Sequence, residues 1–249
     1  MLEVRMKFSS KQTYKLFLKI IGFVCLGLFF LFSFFVNTGA FLPIDLYVNE
    51  VFGGGFKGIF FLYSKILEYL YLFLSLLCFR LLYKFYRRGE KMEALLLTVV
   101  AVASVFSQFF VKPIFNVLCP GSYYNSVFKT YKLVANSELF QKFALKETCY
   151  PSNHTVGYIV VCGYLALLMY TYFPKKKETS TIISLLLFII ATVGLTRIYL
   201  HVHWFSDVVA GYLLGGFFLC VIFWLRLHRK EFKEVMKVLY AKLEKNKRK

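Results

Sequence analysis

The chain has 249 residues, of which 59% are hydrophobic and 20% aromatic. Its polar residues are too few to cover a soluble globule of this size, so lipid is expected to surround most of it. The net charge of +18 would also suit a nucleic-acid-binding protein. The basic residues, however, cluster beside apolar segments, which favours a membrane protein and argues against nucleic acid as a partner.

Six apolar stretches, each close to the roughly 20 residues that cross a bilayer, follow one another along the chain. They cover about residues 20–42, 60–83, 94–112, 154–173, 181–198 and 206–225. The first is followed by further spans and lacks a small-residue cleavage site, so we interpret it as a retained anchor. The sequence predicts an all-α, polytopic membrane helix bundle with about six transmembrane helices, in one domain of residues 1–249.

The second stretch is interrupted by Lys65, Glu68 and Arg80. A shorter tilted span or a partly interfacial helix would fit these charges as well. We favour an internal pair of Lys65 with Glu68, or side chains that reach a helix end, over the alternative of an ion path.

Lys and Arg collect in four segments of the chain. These are residues 1–19, 84–93, 175–177 and the end of the chain from 226. With six spans all four fall on one side, which the positive-inside rule assigns to the cytoplasm. We therefore predict cytoplasmic termini and an outward loop of residues 113–153. Residues 226–249 are interpreted as a basic cytoplasmic tail, with an anionic-lipid sensor as the alternative.

Three of the four histidines, His154, His201 and His203, fall at the predicted outward face. Ionisable groups at the edge of the hydrocarbon are costly unless they are paired or used, so this collection indicates a functional site. Asp207 lies four residues after His203, one helical turn away, and can fix its tautomer as a nucleophile. His154 can then protonate a departing oxygen.

Groups that suit a phosphate lie in the same outward segments. Lys112 and Arg197 are cations for phosphate oxygens. Ser152 opens a predicted helix, whose first N–H groups favour an anion. The set therefore contains a nucleophile, its orienting carboxylate, an acid and a phosphate clamp.

Two patterns among these residues resemble signature motifs of the type 2 phosphatidic acid phosphatase (PAP2) family. Residues 196–207 read Thr-Arg-x5-His-x3-Asp, similar to S-R-x5-H-x3-D, and residues 151–154 read Pro-Ser-Asn-His, similar to P-S-G-H. The chain resembles membrane lipid phosphatases such as bacterial lipid A 1-phosphatases and undecaprenyl diphosphate phosphatases.

The resemblance implies that His203 forms a phosphohistidine and that Asp207 orients it. His154 would protonate the leaving oxygen and later activate water. The implied phosphate-binding residues are Lys112, Ser152 and Arg197. Neither a metal nor another cofactor is implied, and the expected partner is a phosphorylated membrane lipid.

Three positions depart from the family motifs. Thr196 replaces Ser and keeps a hydroxyl, while Asn153 replaces Gly and is expected to bring a side chain near the phosphate. The first motif, K-x6-R-P, begins at Lys112 but has Cys119 in place of the arginine. The outward-loop cations Lys129 and Lys132 are candidates to compensate.

Cys119 and Cys149 are the two cysteines of the predicted outward loop. In an oxidising compartment they are predicted to form a disulfide, with two free thiols as the alternative. A metal site of His201, His203 and Asp207 is a further, less favoured alternative.

The predicted function is hydrolysis of a phosphomonoester or diphosphate on a lipid of the outward leaflet. A phosphotransferase with the same intermediate and a non-catalytic lipid-binding relative are the alternatives. Abundant Lys, Phe, Tyr and Ile suit an AT-rich bacterial genome. The predicted location is the bacterial inner membrane, with the site facing the periplasm.

Overall fold

The structure is a computed structural model that describes residues 2–52, 58–115, 117, 119–120, 149–174 and 176–228. These residues form seven α-helices and one π-helical turn, and no β-strand occurs among them. In chain order the elements are α1 (Leu2–Asn37), α2 (Leu42–Phe52), α3 (Ile59–Arg87), α4 (Lys91–Phe106), the π turn (Ser107–Val111), α5 (Asn153–Tyr172), α6 (Lys177–Tyr199) and α7 (Phe205–Leu227). The predicted all-α helix bundle is confirmed.

Five helices, α1, α3, α5, α6 and α7, are long and apolar enough to cross a membrane. Helix α4 has 16 residues and continues directly into the five residues of the π turn. Together they cover most of the predicted third span. The interrupted second span forms α3, an unbroken helix of 29 residues.

The predicted end of the first span, residue 42, was wrong. Helix α1 begins at Leu2 and ends at Asn37. It ends there because Gly39 adopts a left-handed φ of 78° and the Ala40 amide donates to the Phe35 carbonyl over 3.1 Å. The chain then forms α2, an 11-residue helix that the hydropathy pattern did not predict.

Helix α5 is the centre of the bundle and contacts α3, α4, α6 and α7, while α1 packs along α7. Within its most apolar window 67% of α5 is buried, against 17% for α1 and for α3. The outer helices expose large apolar side chains such as Phe23, Leu72 and Phe188. Such a surface suits contact with lipid and not with water.

The two ends of the bundle carry different polar groups. We call the end with the N-termini of α5 and α7 the site end. At the opposite end Glu93 is buried and accepts hydrogen bonds from Arg226 at 3.0 Å and Tyr164 at 2.8 Å. These two hydrogen bonds tie α4 to α7 and to α5. The basic tail from residue 229, and residues 121–148 of the outward loop, lie outside the described residues.

Candidate active site

The predicted site residues come from four segments that meet at the site end. These segments are the π turn before Lys112, the N-terminus of α5, the C-terminus of α6 and the turn into α7. Hydrogen bonds link the start of α5 to the first turn of α7, through Ser152 and Asp207, and to the π turn, through Asn153 and Ser107. The fold therefore gathers residues that are up to 95 positions apart in the sequence.

His203 is buried in the turn before α7 and is held by Asp207. Its Nδ1 lies 3.2 Å from the Asp207 Oδ2, which also accepts a hydrogen bond from the Trp204 amide at 2.9 Å. With a proton on Nδ1, the ring presents the lone pair of Nε2 to a substrate. This is the tautomer that a nucleophilic histidine needs.

Ser152 connects the N-terminus of α5 to the first turn of α7. Its amide donates to the Asp207 carbonyl at 3.0 Å, and its buried hydroxyl accepts from Thr155 at 3.1 Å. The first N–H groups of α5 lack acceptors within the helix. This end of α5 therefore favours an anion such as phosphate.

His154, in the first turn of α5, lies across from the candidate nucleophile. Its ring centroid is 6.5 Å from that of His203 and also 6.5 Å from that of Tyr71. Two imidazoles at this separation, one in the first turn of α5 and one in the turn before α7, can act on opposite sides of one phosphoryl group.

Arg197 is held by α3, in contacts that the sequence did not predict. Its guanidinium donates to the Ser64 hydroxyl and, at 3.4 Å, to the Glu68 carboxylate. Glu68 also forms the favoured internal pair with Lys65, at 2.9 Å. Arg197 is only 3% exposed, and a cation so buried needs such partners. Helix α3 thus fixes the position of this candidate phosphate ligand.

Lys112 and Asn153 both bond to Ser107, the first residue of the π turn. The Lys112 amide donates to the Ser107 carbonyl over 2.9 Å, and the Ser107 hydroxyl donates to the side-chain oxygen of Asn153. Asn153 thus ties α5 to the π turn through its side chain, which the glycine at this position of the family motif would lack. Its contact with phosphate stays a prediction, and Lys129 and Lys132 lie outside the described residues.

Comparison with known proteins identifies the family. The sequence profile of the PAP2 superfamily matches residues 93–231, more than half of the chain. The chain belongs to the PAP2 superfamily. The matched range includes both motifs, whereas Ser64 and Glu68, which hold Arg197, precede it.

A solved PAP2 structure has a similar fold. It is the crystal structure of the first transmembrane PAP2 type phosphatidylglycerolphosphate phosphatase from Bacillus subtilis. The TM-score is 0.58 at 18% identity, over 86% of this chain and 96% of that chain. No curated protein matches the chain by sequence. The PAP2 family and the apolar helices identify an integral membrane protein.

Two glycines of α7 let the helices that carry the PAP2 motifs approach closely. A Cβ atom at Gly211 would lie 2.8 Å from the Thr155 Cβ and 3.0 Å from the Ser152 carbonyl, and one at Gly215 would lie 3.0 Å from Ile159. Glycines four residues apart are typical of close helix contacts in membranes. The spacing Gly-x-x-x-Gly in the sequence is the signal that indicates this close contact.

We expect Gly211→Ala to impair both folding and phosphate release. Because the backbone of Ser152 cannot yield as a side chain would, α7 must shift, at a cost of about 1–3 kcal/mol in stability. A shift near 1 Å in the candidate nucleophile costs about 100-fold in rate. Thermal unfolding in detergent and phosphate release measure the two effects.

Gly216→Ala is the matched control on the same helix, since its Cβ would lie 3.5 Å from the Cys25 sulfur, an ordinary contact. Equal behaviour of the two variants would contradict the packing argument.

The sulfur atoms of Cys119 and Cys149 are bonded in the structure, and their Cα atoms are 5.0 Å apart. The Cys149 sulfur also lies 3.2 Å from the Val202 carbonyl oxygen, in the turn before His203. The bond thus joins the position of the missing PAP2 arginine to the segment before Ser152, and the same segment contacts the turn that carries the candidate nucleophile.

The metal alternative finds little support in this geometry. Cys149, His203 and Asp207 present ligand atoms within 4.8 Å of one another, but a disulfide sulfur is no thiolate ligand. His201, the other histidine of the alternative, instead has its Nδ1 2.6 Å from the Asn49 side-chain oxygen.

Reduction of the disulfide is expected to lower thermal stability and activity together. The bond closes a loop with a sequence separation of 30, which stabilises by about 2–4 kcal/mol through restriction of the unfolded chain. Cys149→Ser should reproduce the effect of reductant, and Cys25→Ser, at a free thiol within α1, should not. Intact mass showing two free thiols in protein from an oxidising compartment would contradict the pairing.

Asp45, in α2, is a buried carboxylate that sequence analysis missed. It accepts hydrogen bonds from the Ser206 amide at 2.8 Å and the Ser206 hydroxyl at 2.6 Å. Burial raises the pKa of Asp45 from 3.8 to about 6, the Ser206 bonds oppose the shift, and the nearby charge of Asp207 adds to it. An ionisable residue directly flanked by the apolar Ile44 and Leu46 was the available signal.

The stability of the protein is therefore expected to depend on pH through Asp45. A carboxyl whose pKa is raised on folding stabilises the native state below pH 4, and this contribution is lost as pH rises through about 6. The variant Asp45→Asn is neutral at every pH in this range, so its stability does not fall in this way as the pH rises. Its melting temperature relative to wild type should rise between pH 4 and pH 7, by the equivalent of at most about 3 kcal/mol. A difference that is independent of pH would contradict this assignment.

Proposed function

We propose that this protein is a membrane lipid phosphatase that hydrolyses a phosphomonoester or diphosphate through a phosphohistidine on His203. The observation that carries the proposal is the pair of His203 with Asp207 at 3.2 Å, facing a second imidazole, His154, at 6.5 Å. Membership of the PAP2 superfamily supports phosphatase chemistry. The apolar helix bundle supports a lipid as the substrate.

An apolar groove between α3 and α4 leads from His154 into the bundle. Its outer part has a volume of about 320 Å³ and is lined by Tyr71, Ser104 and Phe109. A second cavity of about 250 Å³ shares Tyr71 and Ser104 and continues to Leu82. A hydrocarbon chain attached to a phosphate at His154 fits this groove, which favours a lipid over a soluble phosphate ester.

The proposed reaction has two steps. The Nε2 of His203 attacks phosphorus, the bond from phosphorus to the lipid oxygen breaks, and that oxygen takes the proton of His154. His154, now neutral, then removes a proton from water. The resulting hydroxide attacks phosphorus and breaks the N–P bond, which releases inorganic phosphate and restores both histidines. Lys112 and Arg197 would balance the charge on the phosphoryl oxygens.

The candidate substrates are lipids with an exposed phosphate. They are lipid A with a 1-phosphate, undecaprenyl diphosphate, and phosphatidylglycerol phosphate or phosphatidate. The solved PAP2 relative is named for phosphatidylglycerolphosphate. The groove suits a hydrocarbon tail of any of these lipids, so phosphate release from each of them must be compared.

The proposed location is the bacterial inner membrane, with the site end in the periplasm and both termini in the cytoplasm. The distribution of Lys and Arg supports this orientation. A membrane-impermeant thiol reagent applied to intact cells should label a cysteine introduced at Thr38, at the site end, and should not label one at Ser180. The reverse pattern would overturn the orientation.

Purified protein offered a panel of these lipids, with a chelator present, tests the function. We expect free phosphate from at least one lipid, and none from the His203→Ala variant. Phosphate transferred to an acceptor other than water would identify the phosphotransferase alternative. Failure to act on any member would favour the non-catalytic alternative, for which Cys119 in place of the arginine is the argument.

A further inference from the structure

Helix α2 lies against the turn that carries His203. This turn, residues 200–204, joins α6 to α7, and α2 contacts both of these helices. Two buried polar side chains of α2, Asp45 and Asn49, lie four residues apart and therefore on one face of the helix. Asp45 bonds to Ser206, just after the turn, and Asn49 contacts His201, near the start of the turn.

Asp45 holds the start of α7. Both of its oxygens bond to Ser206, one to the amide at 2.8 Å and one to the hydroxyl at 2.6 Å. Ser206 directly precedes Asp207, the carboxylate that orients His203. A carboxylate at this position also satisfies an amide in the first helical turn, which has no acceptor within α7.

Asn49 holds the other side of the turn. Its side-chain oxygen lies 2.6 Å from the Nδ1 of His201. His201 has a φ of 53°, a left-handed conformation that residues other than glycine rarely adopt. The surroundings must therefore support this conformation, and the Asn49 contact ties the His201 side chain to α2.

We propose that Asp45 and Asn49 are positioning residues that hold the turn so that His203 is aligned for attack on phosphorus. The proposal rests on the proposed phosphatase function. Neither residue is assigned a contact with substrate, because each acts through Ser206 or His201. The turn is also fixed from the inside, where the Val202 and His203 amides donate to the Arg197 carbonyl. Helix α2 supplies the contacts from the outside.

The consequence for catalysis follows from the geometry of attack. A nucleophile must lie within about 3–3.5 Å of the reacting atom, and a misplacement of 1 Å can cost about 100-fold in rate. Without Asp45, the Ser206 amide and hydroxyl lose their buried acceptor and the first turn of α7 is free to shift. The substrate pocket on the α5 side is unchanged, so the rate should fall more than the affinity.

The experiment compares Asp45→Ala, Asp45→Asn and Asn49→Ala with wild type in phosphate release. We expect Asp45→Ala to lower kcat about 100-fold while KM changes less than about threefold. Asn keeps an acceptor for the Ser206 amide and a polar group beside the Ser206 hydroxyl, so Asp45→Asn should restore most of kcat. Asn49→Ala should lower kcat by a smaller factor. Glu50→Gln, at an exposed residue of α2, is the control.

Hydrogen exchange of residues 199–207 supplies a readout of the turn itself. It should rise in Asp45→Ala and stay near wild type in Asp45→Asn and Glu50→Gln. If Asp45→Ala fails to fold, Asn49→Ala carries the test, with increased exchange and lowered kcat expected.

Unchanged kcat in Asp45→Ala, or in Asn49→Ala when only that variant folds, would overturn the positioning role and leave the phosphatase function standing. An Asp45→Asn variant as slow as Asp45→Ala would overturn it also. Absence of phosphate release from wild type would overturn the phosphatase function and this proposal with it.

Discussion

His203→Ala is expected to abolish phosphate release and to remove any acid-labile phosphoprotein. Loss of the nucleophile removes the covalent route, so the rate should fall by at least about 10⁴-fold. His154→Ala should still form the phosphoprotein from substrates with good leaving groups, because His154 acts as the acid for the leaving oxygen. Labelled lipid, rapid quenching and alkaline gel analysis measure both quantities.

The matched control for this prediction is His228→Ala. His228 lies at the opposite end of the bundle, where its Nδ1 is 2.9 Å from the Trp224 carbonyl. The chemical change is the same, but the site is untouched, so near wild-type turnover is expected. Full activity in His203→Ala would reject the phosphohistidine mechanism outright.

Arg197→Lys is expected to lower kcat/KM by about 10²- to 10³-fold, the usual effect of losing one oriented donor to a developing charge. Lysine keeps the positive charge but cannot reproduce the planar fork that reaches Ser64 and Glu68 together. Phosphate release measured over a range of lipid concentrations gives the loss.

Glu68→Gln tests the support of Arg197 from α3. The amide can still accept a hydrogen bond from Arg197 but no longer offers a charge, so a smaller loss, about tenfold, is expected. Arg80→Lys, at an exposed arginine of the same helix, should have little effect. If Glu68→Gln and Arg80→Lys behave alike, Glu68 does not position Arg197.

The residues that could be predicted from the sequence are those whose spacing is local. His203 and Asp207 are only four positions apart, so their contact could be predicted, although His203 precedes α7 and Asp207 reaches back to it from the first turn of that helix. Ser152 and His154 open a helix whose start is marked by the change from polar loop to apolar run. The apolar stretches likewise indicated the bundle, because length and hydropathy decide which segments cross a membrane.

Contacts between distant segments could not be predicted in this way. Glu68 reaches Arg197 across 129 residues, and Asp45 reaches Ser206 across 161. A single sequence gives no information on which helices are neighbours, so an acidic residue within a span is as compatible with a lysine three positions before it as with a distant arginine. The helix α2 was missed for another reason, since the apolar run continues through Gly39 and conceals the turn.

The π turn at residues 107–111 has a consequence for how this protein is compared with its relatives. The Lys112 amide donates to the Ser107 carbonyl, five residues earlier. The hydrogen-bonded turn therefore contains one residue more than an α-helical turn, whose bonds join residues four apart. A regular α-helix through the same residues would carry Lys112 about 100° further around the axis and so change the side of the helix that it faces. A relative with one residue fewer here and a regular α-helix could keep both the packing of α4 and the place of the lysine. In an alignment with such a chain, the gap would belong inside this turn and not beside the lysine.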